Sequence, residues 1–175
     1  MELSEAIELI QNDPITRQSN ALWADLGSGS GLFSFALAHL LQTGSVIYAV
    51  DKNPVNFGAW LQPVGVHLRS LQLDFVAEPL PFHDLDGILL ANSLHYVRDK
   101  PALIGKLSAS MKPGGRFLVV EYDTDKPVPQ WVPYPVSFPS LRRLFENAGY
   151  SSVQKLGERP SVFGRARMYA ALIEF

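Results

Sequence analysis

The sequence contains no cysteine and no long uninterrupted run of apolar residues. Without cysteine, the chain forms no disulfide, no thiolate metal site and no cysteine nucleophile. Glycine, proline or charge interrupts the apolar stretches well before the roughly 20 residues that crossing a bilayer requires, so we expect no membrane span. The first 14 residues carry three glutamates and no lysine or arginine, which is the wrong charge for a secretory or transit peptide. We therefore predict a cytoplasmic protein.

Excess positive charge is also lacking, since 15 basic residues face 17 acidic ones and the net charge is −2. This balance makes nucleic acid an unexpected partner, because non-specific binding depends on lysine and arginine at the phosphates. The part after Pro139 is richer in basic residues, and the simplest interpretation is a solvated face. Those basic residues are Arg142, Arg143, Lys155, Arg159, Arg165 and Arg167. The four histidines lack the paired spacing of metal ligands, so no metal site is predicted.

Apolar residues follow helical and strand-like patterns in turn, with glycine and proline between them. This alternation is typical of βαβ units around a mostly parallel sheet, and the length fits one α/β domain over 1–175. We predict strands at 21–26, 46–50, 66–73, 85–91, 116–120, 152–156 and 167–173. We predict helices at 32–41, 55–61, 101–111 and 141–148, and a turn at 112–115. No helix separates the last two strands, so they should form an antiparallel hairpin.

Two further segments have distinct patterns. Residues 1–13 carry apolar side chains at helical spacing up to Asp13-Pro14, which predicts an amphipathic helix that serves as a lid or a clamp. Residues 123–139 are rich in proline and contain aromatic residues such as Trp131. We interpret them as a structured loop on the substrate side.

A glycine-rich turn, Asp25-Leu-Gly27-Ser28-Gly29-Ser-Gly31, lies between the first predicted strand and the following helix. Its glycines allow a ligand to approach the backbone closely, and the start of the helix offers amide groups. A nicotinamide dinucleotide fingerprint requires Gly-x-Gly-x-x-Gly. Counting from Gly27 or Gly29, the third glycine position holds Leu32 or Ser34, so the spacing disfavours that cofactor.

Asp25 to Gly31 resembles the first motif of class I S-adenosylmethionine-dependent methyltransferases, and the resemblance continues along nearly the whole chain. Asp51 ends the second predicted strand, at the position expected for a carboxylate that binds the ribose hydroxyls. Asp74-Phe75 follows the third strand, where family members contact the adenine, although a loop cap is an equal alternative for Asp74 taken alone. The stretches Leu80 to Val97 and Lys112 to Glu121 also resemble family motifs.

The resemblance implies a Rossmann-like, seven-stranded sheet with helices on both faces and S-adenosylmethionine as cofactor. It also implies which residues contact the cofactor. Asp25 would orient the glycine turn, either directly or through a contact with the amino group of the cofactor. The implied cofactor-binding residues are Asp25, Gly27, Ser28, Gly29, Gly31, Asp51, Lys52, Asp74, Phe75 and Asn92.

The acceptor is less defined. The similarity is to the small-molecule branch of the family, and Asn92 lacks the Pro-Pro and aromatic residues that follow it in enzymes acting on nucleobase or glutamine nitrogens. His95 is a candidate general base, or equally a histidine that holds a loop. Candidate substrate contacts are Tyr96, Glu121, Tyr122 and Trp131. Alternatives are a non-catalytic or partner-dependent cofactor-binding protein and, less favoured, a nicotinamide oxidoreductase; a protein partner or homo-oligomer stays open.

Overall fold

The computed structural model describes residues 1–160 and 167–175, and the seven strands within them form one sheet. The strands are β1 (Leu22–Leu26), β2 (Val46–Asp51), β3 (His67–Gln72), β4 (Leu85–Ala91), β5 (Met111–Tyr122), β6 (Ser152–Pro160) and β7 (Arg167–Glu174). Their order across the sheet is β3-β2-β1-β4-β5-β7-β6. The first five strands are parallel, and β7 runs antiparallel to β5 and β6. The mostly parallel sheet with an antiparallel C-terminal pair is confirmed.

Five α-helices accompany the sheet among the described residues: α1 (Leu3–Ile10), α2 (Asp13–Thr16), α3 (Leu32–Leu40), α4 (Lys100–Ser108) and α5 (Phe138–Asn147). Local sequence sets where they begin. The carboxylate of Asp99 accepts a hydrogen bond from the Ala102 amide at the start of α4, and the hydroxyl of Ser137 does the same for Ser140 at α5. Such caps satisfy amides that have no partner inside the helix.

Hydrophobic cores cover both faces of the sheet. One contains α1 and α3, and the other contains α4 and α5. Side chains of a strand alternate between the two faces, and along β1 Trp23 enters the first core while Ala24 and Leu26 enter the second. Both faces therefore lie in apolar surroundings, which explains the nearly continuous apolar runs of the central strands.

The N-terminal helix packs against the first core and the C-terminal strands. Its buried residues Ala6, Leu9 and Ile10 belong to the first core, and the helix contacts α3, β6 and β7. The short helix α2 follows it, so helical structure extends beyond the predicted stop at Asp13-Pro14, with proline in the first helical turn where its missing N–H is harmless.

One predicted element is wrong. No helix forms at 55–61, because Gly58 interrupts this stretch and its aromatic rings pack on Phe35 instead. The residues 112–115, predicted as a turn, lie inside the bounds of β5 but interrupt its pairing. Met111 pairs with Leu85 and Arg116 with Gly87, so the four residues between them bulge out of the ladder, with Gly114 at φ +78°. The turn predicted between the last two strands falls partly on 161–166, outside the described residues, as does Arg165. In the part of the chain that the structure describes, no helix is long and apolar enough to span a membrane.

Candidate functional site

A cavity of about 560 Å³ opens where β1, β2 and β4 end, at the carboxyl edge of the parallel strands. We call it the glycine-loop cavity. Open α/β sheets bind ligands at this edge, where neighbouring connections diverge to opposite faces. Its lining comes from four segments that follow strands: Gly27; Asp51, Lys52 and Asn53; Asp74, Phe75 and Val76; and Asn92, Ser93, Tyr96 and Val97. Polar groups thus surround a space of the size that small-molecule ligands occupy.

The glycine turn packs too tightly for side chains. Gly27 has φ +83°, and a Cβ there would lie 2.5 Å from the Cβ of Ser93. Gly31 has φ +86°, and a Cβ there would lie 2.6 Å from the Phe57 ring. Both the left-handed backbone and the space therefore require glycine. Several amides of the turn are already bonded within the protein, since those of Gly27 and Ser28 donate to the Val50 carbonyl.

Asp51 fixes the turn from the neighbouring strand. One carboxylate oxygen accepts a hydrogen bond from the Gly29 amide at 3.0 Å, and the other accepts one from the Asn53 amide at 2.9 Å. Each carboxylate oxygen has a second lone pair. Asp51 can therefore accept further hydrogen bonds from a ligand while it holds the glycine turn.

Asp74 and Phe75 form the opposite wall. One carboxylate oxygen of Asp74 accepts hydrogen bonds from the amides of Val76 and Ala77, so Asp74 is a loop cap that also faces the cavity. Phe75 is 8% exposed and packs in the second core. The pair presents a carboxylate beside an apolar surface, a combination that suits a flat base carrying an amino group.

Unpaired polar atoms are concentrated next to this cavity. Asn92 has φ +54°, a conformation that asparagine tolerates better than most residues. Its side-chain oxygen and the hydroxyl of Ser93 are buried and have no hydrogen-bond partner among the described residues, and the hydroxyl of Ser28 is in the same condition. Leaving such groups unpaired is costly. Because these unpaired atoms lie beside the cavity, they indicate that a polar ligand binds here.

Asp25 is fully buried beneath the glycine turn. One carboxylate oxygen accepts a hydrogen bond from the Ser34 hydroxyl at 2.5 Å, and the other has no partner in the described chain. Burial raises the pKa of this carboxyl to about 7, and the nearby negative charge of Asp51 acts in the same direction, while the Ser34 hydrogen bond opposes them. Asp25 therefore changes its charge near neutral pH.

His95 and Glu121 form a buried pair behind the cavity. Their exposed fractions are 2% and 0%. Nδ1 of His95 lies 2.7 Å from one carboxylate oxygen of Glu121, and the His95 amide donates to the other at 3.0 Å. The His95 ring also contacts the rings of Tyr96 and Tyr122. Glu121, predicted as a substrate contact, is consequently engaged with His95 and is not exposed.

The proline-rich segment is attached to this pair. The Tyr134 amide donates to the His95 carbonyl at 2.9 Å, and the buried Lys100 ammonium donates to the carbonyls of Val97 and Tyr134 at 2.8 and 2.6 Å. Burial lowers the pKa of Lys100, and the negative charge of Glu121 opposes this shift. Trp131, further along the segment, is 66% exposed and lines none of the described cavities.

The structure brings seven of the predicted site residues to one cavity: Gly27, Asp51, Lys52, Asp74, Phe75, Asn92 and Tyr96. Asp25, Ser28, Gly29 and Gly31 lie in or under the adjoining turn, while His95, Glu121, Tyr122 and Trp131 do not line it. Sequence reasoning missed Asn53, Val76, Ser93 and Val97. Each directly follows or lies close to a predicted residue after a strand end. The position after a strand end, rather than the residue type, would therefore have identified them. No group of three or more histidines or acidic residues in the described chain is arranged to hold a metal.

Comparisons with known proteins identify the family. The family model described as "Methyltransferase domain" matches residues 4–156. The ubiquinone/menaquinone biosynthesis C-methyltransferase of Shewanella frigidimarina is 33% identical over 107 residues, which cover 58% of this chain and 43% of the relative. That of Vibrio vulnificus is 30% identical over 139 residues, covering 77% and 49%. The chain therefore spans about half the length of the curated relatives it matches.

Solved structures share the fold. Human N-acetylserotonin methyltransferase, solved in complex with S-adenosylmethionine, superposes with a TM-score of 0.65 at 21% identity, over 96% of this chain and 50% of that one. The Haloferax volcanii methyltransferase solved with the Trm112 methyltransferase activator gives 0.67 at 18% identity, over 98% and 86%. With the match to the family model, these likenesses lead to one conclusion: the chain belongs to the methyltransferase-domain family, of the class I, S-adenosylmethionine-dependent type.

Proposed function

We propose that this protein transfers a methyl group from S-adenosylmethionine to a small-molecule acceptor. The observation that carries the proposal is the glycine-loop cavity, where two carboxylates, an apolar ring and unpaired buried polar atoms converge at the strand ends. The names of the sequence relatives, which refer to quinone biosynthesis, support a small-molecule acceptor.

The residues present fit this cofactor. We assign Asp51 to the ribose hydroxyls, with Lys52 beside it, and Asp74 with Phe75 to the adenine. The unpaired oxygens of Asn92 and Ser28 suit the polar methionine part, beside Gly27, Gly29 and Gly31. Asp25 lies beneath the turn and is held by its hydrogen bond from Ser34. With a pKa of about 7, its carboxyl can lose its proton when a positively charged group binds nearby.

When bound, the cofactor supplies a methyl group activated by its positive sulfur. Transfer of such a group is an in-line displacement, so the protein contributes mainly by positioning the two partners and excluding water. Asp51 and the glycine turn contribute to that positioning, because the Asp51–Gly29 hydrogen bond ties the carboxylate to the turn.

His95 stays a predicted general base. Because Nδ1 faces Glu121, the neutral ring would donate from Nδ1 and keep Nε2 for a proton of the acceptor. Glu121 would then act through His95 and not on the substrate. The contacts proposed for Tyr96, Tyr122 and Trp131 also stay predictions, and of these only Tyr96 lines the cavity.

A second candidate is a cofactor-binding protein that needs a partner for activity. One observation favours it: a structural neighbour was solved with an activator protein. A protein partner, a homo-oligomer and the cytoplasmic location stay predictions.

Calorimetric titration with S-adenosylhomocysteine tests the proposal. We expect binding to the wild type and at least tenfold weaker binding to Asp51→Ala, because a carboxylate hydrogen bond contributes about 1.5–3 kcal/mol. Asp51→Asn keeps an oxygen for the Gly29 amide and separates ligand loss from a disturbed turn. Asp13→Ala, an exposed site with no part in the cavity, is the matched control.

NAD is the control ligand. Failure of folded wild-type protein to bind S-adenosylhomocysteine would refute the proposal. Binding without methyl transfer to a panel of small phenols and quinols, followed by transfer once a partner is added, would instead favour the partner-dependent candidate.

A further inference from the structure

A second cavity adjoins the glycine-loop cavity. It also measures about 560 Å³ and lies between the loop after β3, the start of α4 and Tyr134 of the proline-rich segment. We call it the Tyr134 cavity. The two cavities share three lining residues, Val76, Tyr96 and Val97. A molecule in the Tyr134 cavity would therefore touch the same wall as a ligand in the glycine-loop cavity.

The Tyr134 cavity exposes apolar and aromatic surface to water. Tyr96, Tyr134 and Val76 are 57%, 41% and 48% exposed, and Leu103 contributes a further apolar side chain. Exposed tyrosines offer flat surfaces that favour rings, because aromatic pairs attract each other beyond the area they bury. The walls thus suit a flat, largely apolar molecule.

One cation of this cavity is available to a ligand. The ammonium of Lys106 donates to the carbonyls of Phe75, Val76 and Glu78 and is used internally. Arg98 also lines the cavity and is exposed. Across residues 1–160 and 167–175, Arg98 has no hydrogen bond or ion pair.

The anionic group beside Arg98 is already engaged. The carboxylate of Asp99 accepts the Ala102 amide and caps α4, and among the described residues it forms no ion pair with Arg98. A free guanidinium matches the two oxygens of a carboxylate with two parallel hydrogen bonds.

We propose that the Tyr134 cavity is the acceptor subsite and takes a flat aromatic molecule with a carboxylate, the ring against Tyr96 and Tyr134 and the carboxylate on Arg98. This inference rests on the proposed function, since an acceptor subsite presupposes that the protein transfers a methyl group. It deepens that function by naming a substrate class, an aromatic carboxylate, and a residue that selects for the charge.

The test uses naphthalene-2-carboxylate as the probe and naphthalene-2-carboxamide as its uncharged counterpart, each titrated by calorimetry into protein with and without S-adenosylhomocysteine. We expect the carboxylate to bind about tenfold more tightly than the carboxamide, and Arg98→Gln to remove this difference, as loss of one charge-assisted pair predicts. Arg17→Gln, an exposed arginine that lines neither cavity, should preserve it. Tyr96→Ala should weaken both probes.

Equal binding of the two probes, or an unchanged preference in Arg98→Gln, would overturn the inference. So would competition between the carboxylate and S-adenosylhomocysteine, which would place the probe in the glycine-loop cavity. The two proposals fail separately: absence of S-adenosylhomocysteine binding refutes the proposed function, while the titration of the unloaded protein still decides whether Arg98 selects a carboxylate.

Discussion

Replacement of Asp25 by asparagine should stabilise the unliganded protein at alkaline pH. Burial raises the pKa of this carboxyl from its ordinary 3.8 to about 7, and a shift of that size makes the charged form less favourable by about 4 kcal/mol. Between about pH 4 and pH 7 the folded chain keeps a proton that the unfolded chain has released. Its contribution to the free energy of unfolding is therefore complete below pH 4 and lost as pH rises through 7.

Asparagine keeps the shape of the side chain and removes the charge. The variant should gain stability over the wild type by up to about 1.4 kcal/mol per pH unit between pH 5 and 7, and the gain should level off near 4 kcal/mol above pH 8. Urea unfolding followed by tryptophan fluorescence, to which the buried Trp23 contributes, measures the difference. Asp13→Asn, at an exposed position, is the control. A difference between variant and wild type that does not change with pH would refute the reasoning.

Two further perturbations test the packing behind the site. Gly87→Ala places a Cβ 2.4 Å from the Trp23 ring and should lower the free energy of unfolding by about 1–3 kcal/mol. The control Gly105→Ala, in a helix with open space around it, should be neutral or stabilising. Equal effects of the two variants in urea unfolding would contradict the overpacking argument. His95→Ala and Glu121→Ala should each destabilise the chain, and the double variant should show a coupling energy of about 1–3 kcal/mol because the two groups are buried partners. Simple additivity would show that the pair is not coupled.

Strand positions and family membership could be predicted from the sequence, because apolar periodicity and glycine spacing report directly on local backbone. The helix predicted at 55–61 shows the limit of this approach. Its apolar residues have roughly helical spacing, yet Phe57 and Trp60 pack on Phe35, with the Phe57 ring lying over Gly31. Contacts with a distant segment decide this conformation, and one sequence does not reveal them.

The candidate site was predictable to the extent that its residues follow strand ends. Ser93 was missed because the turn after β4 depends on the positive φ of Asn92. Glu121 was predicted as a substrate contact, although it lies on the same face of β5 as Phe117 and Val119 of the second core. The alternation of side chains along β5 was enough to predict that Glu121 is buried. Its pairing with His95, 26 residues away, did not follow from any local pattern.

The position of β7 within the sheet has a consequence for folding on the ribosome. β7 pairs with β5 on one side and β6 on the other, so β6 is synthesised before the strand that joins it to the sheet. Until Arg167–Glu174 has emerged, β5 presents an unpaired edge and β6 is a strand without a sheet. Unpaired edges are the sites where nascent chains aggregate or recruit chaperones. The nascent chain should therefore depend on protection from the time β5 emerges until β7 has emerged.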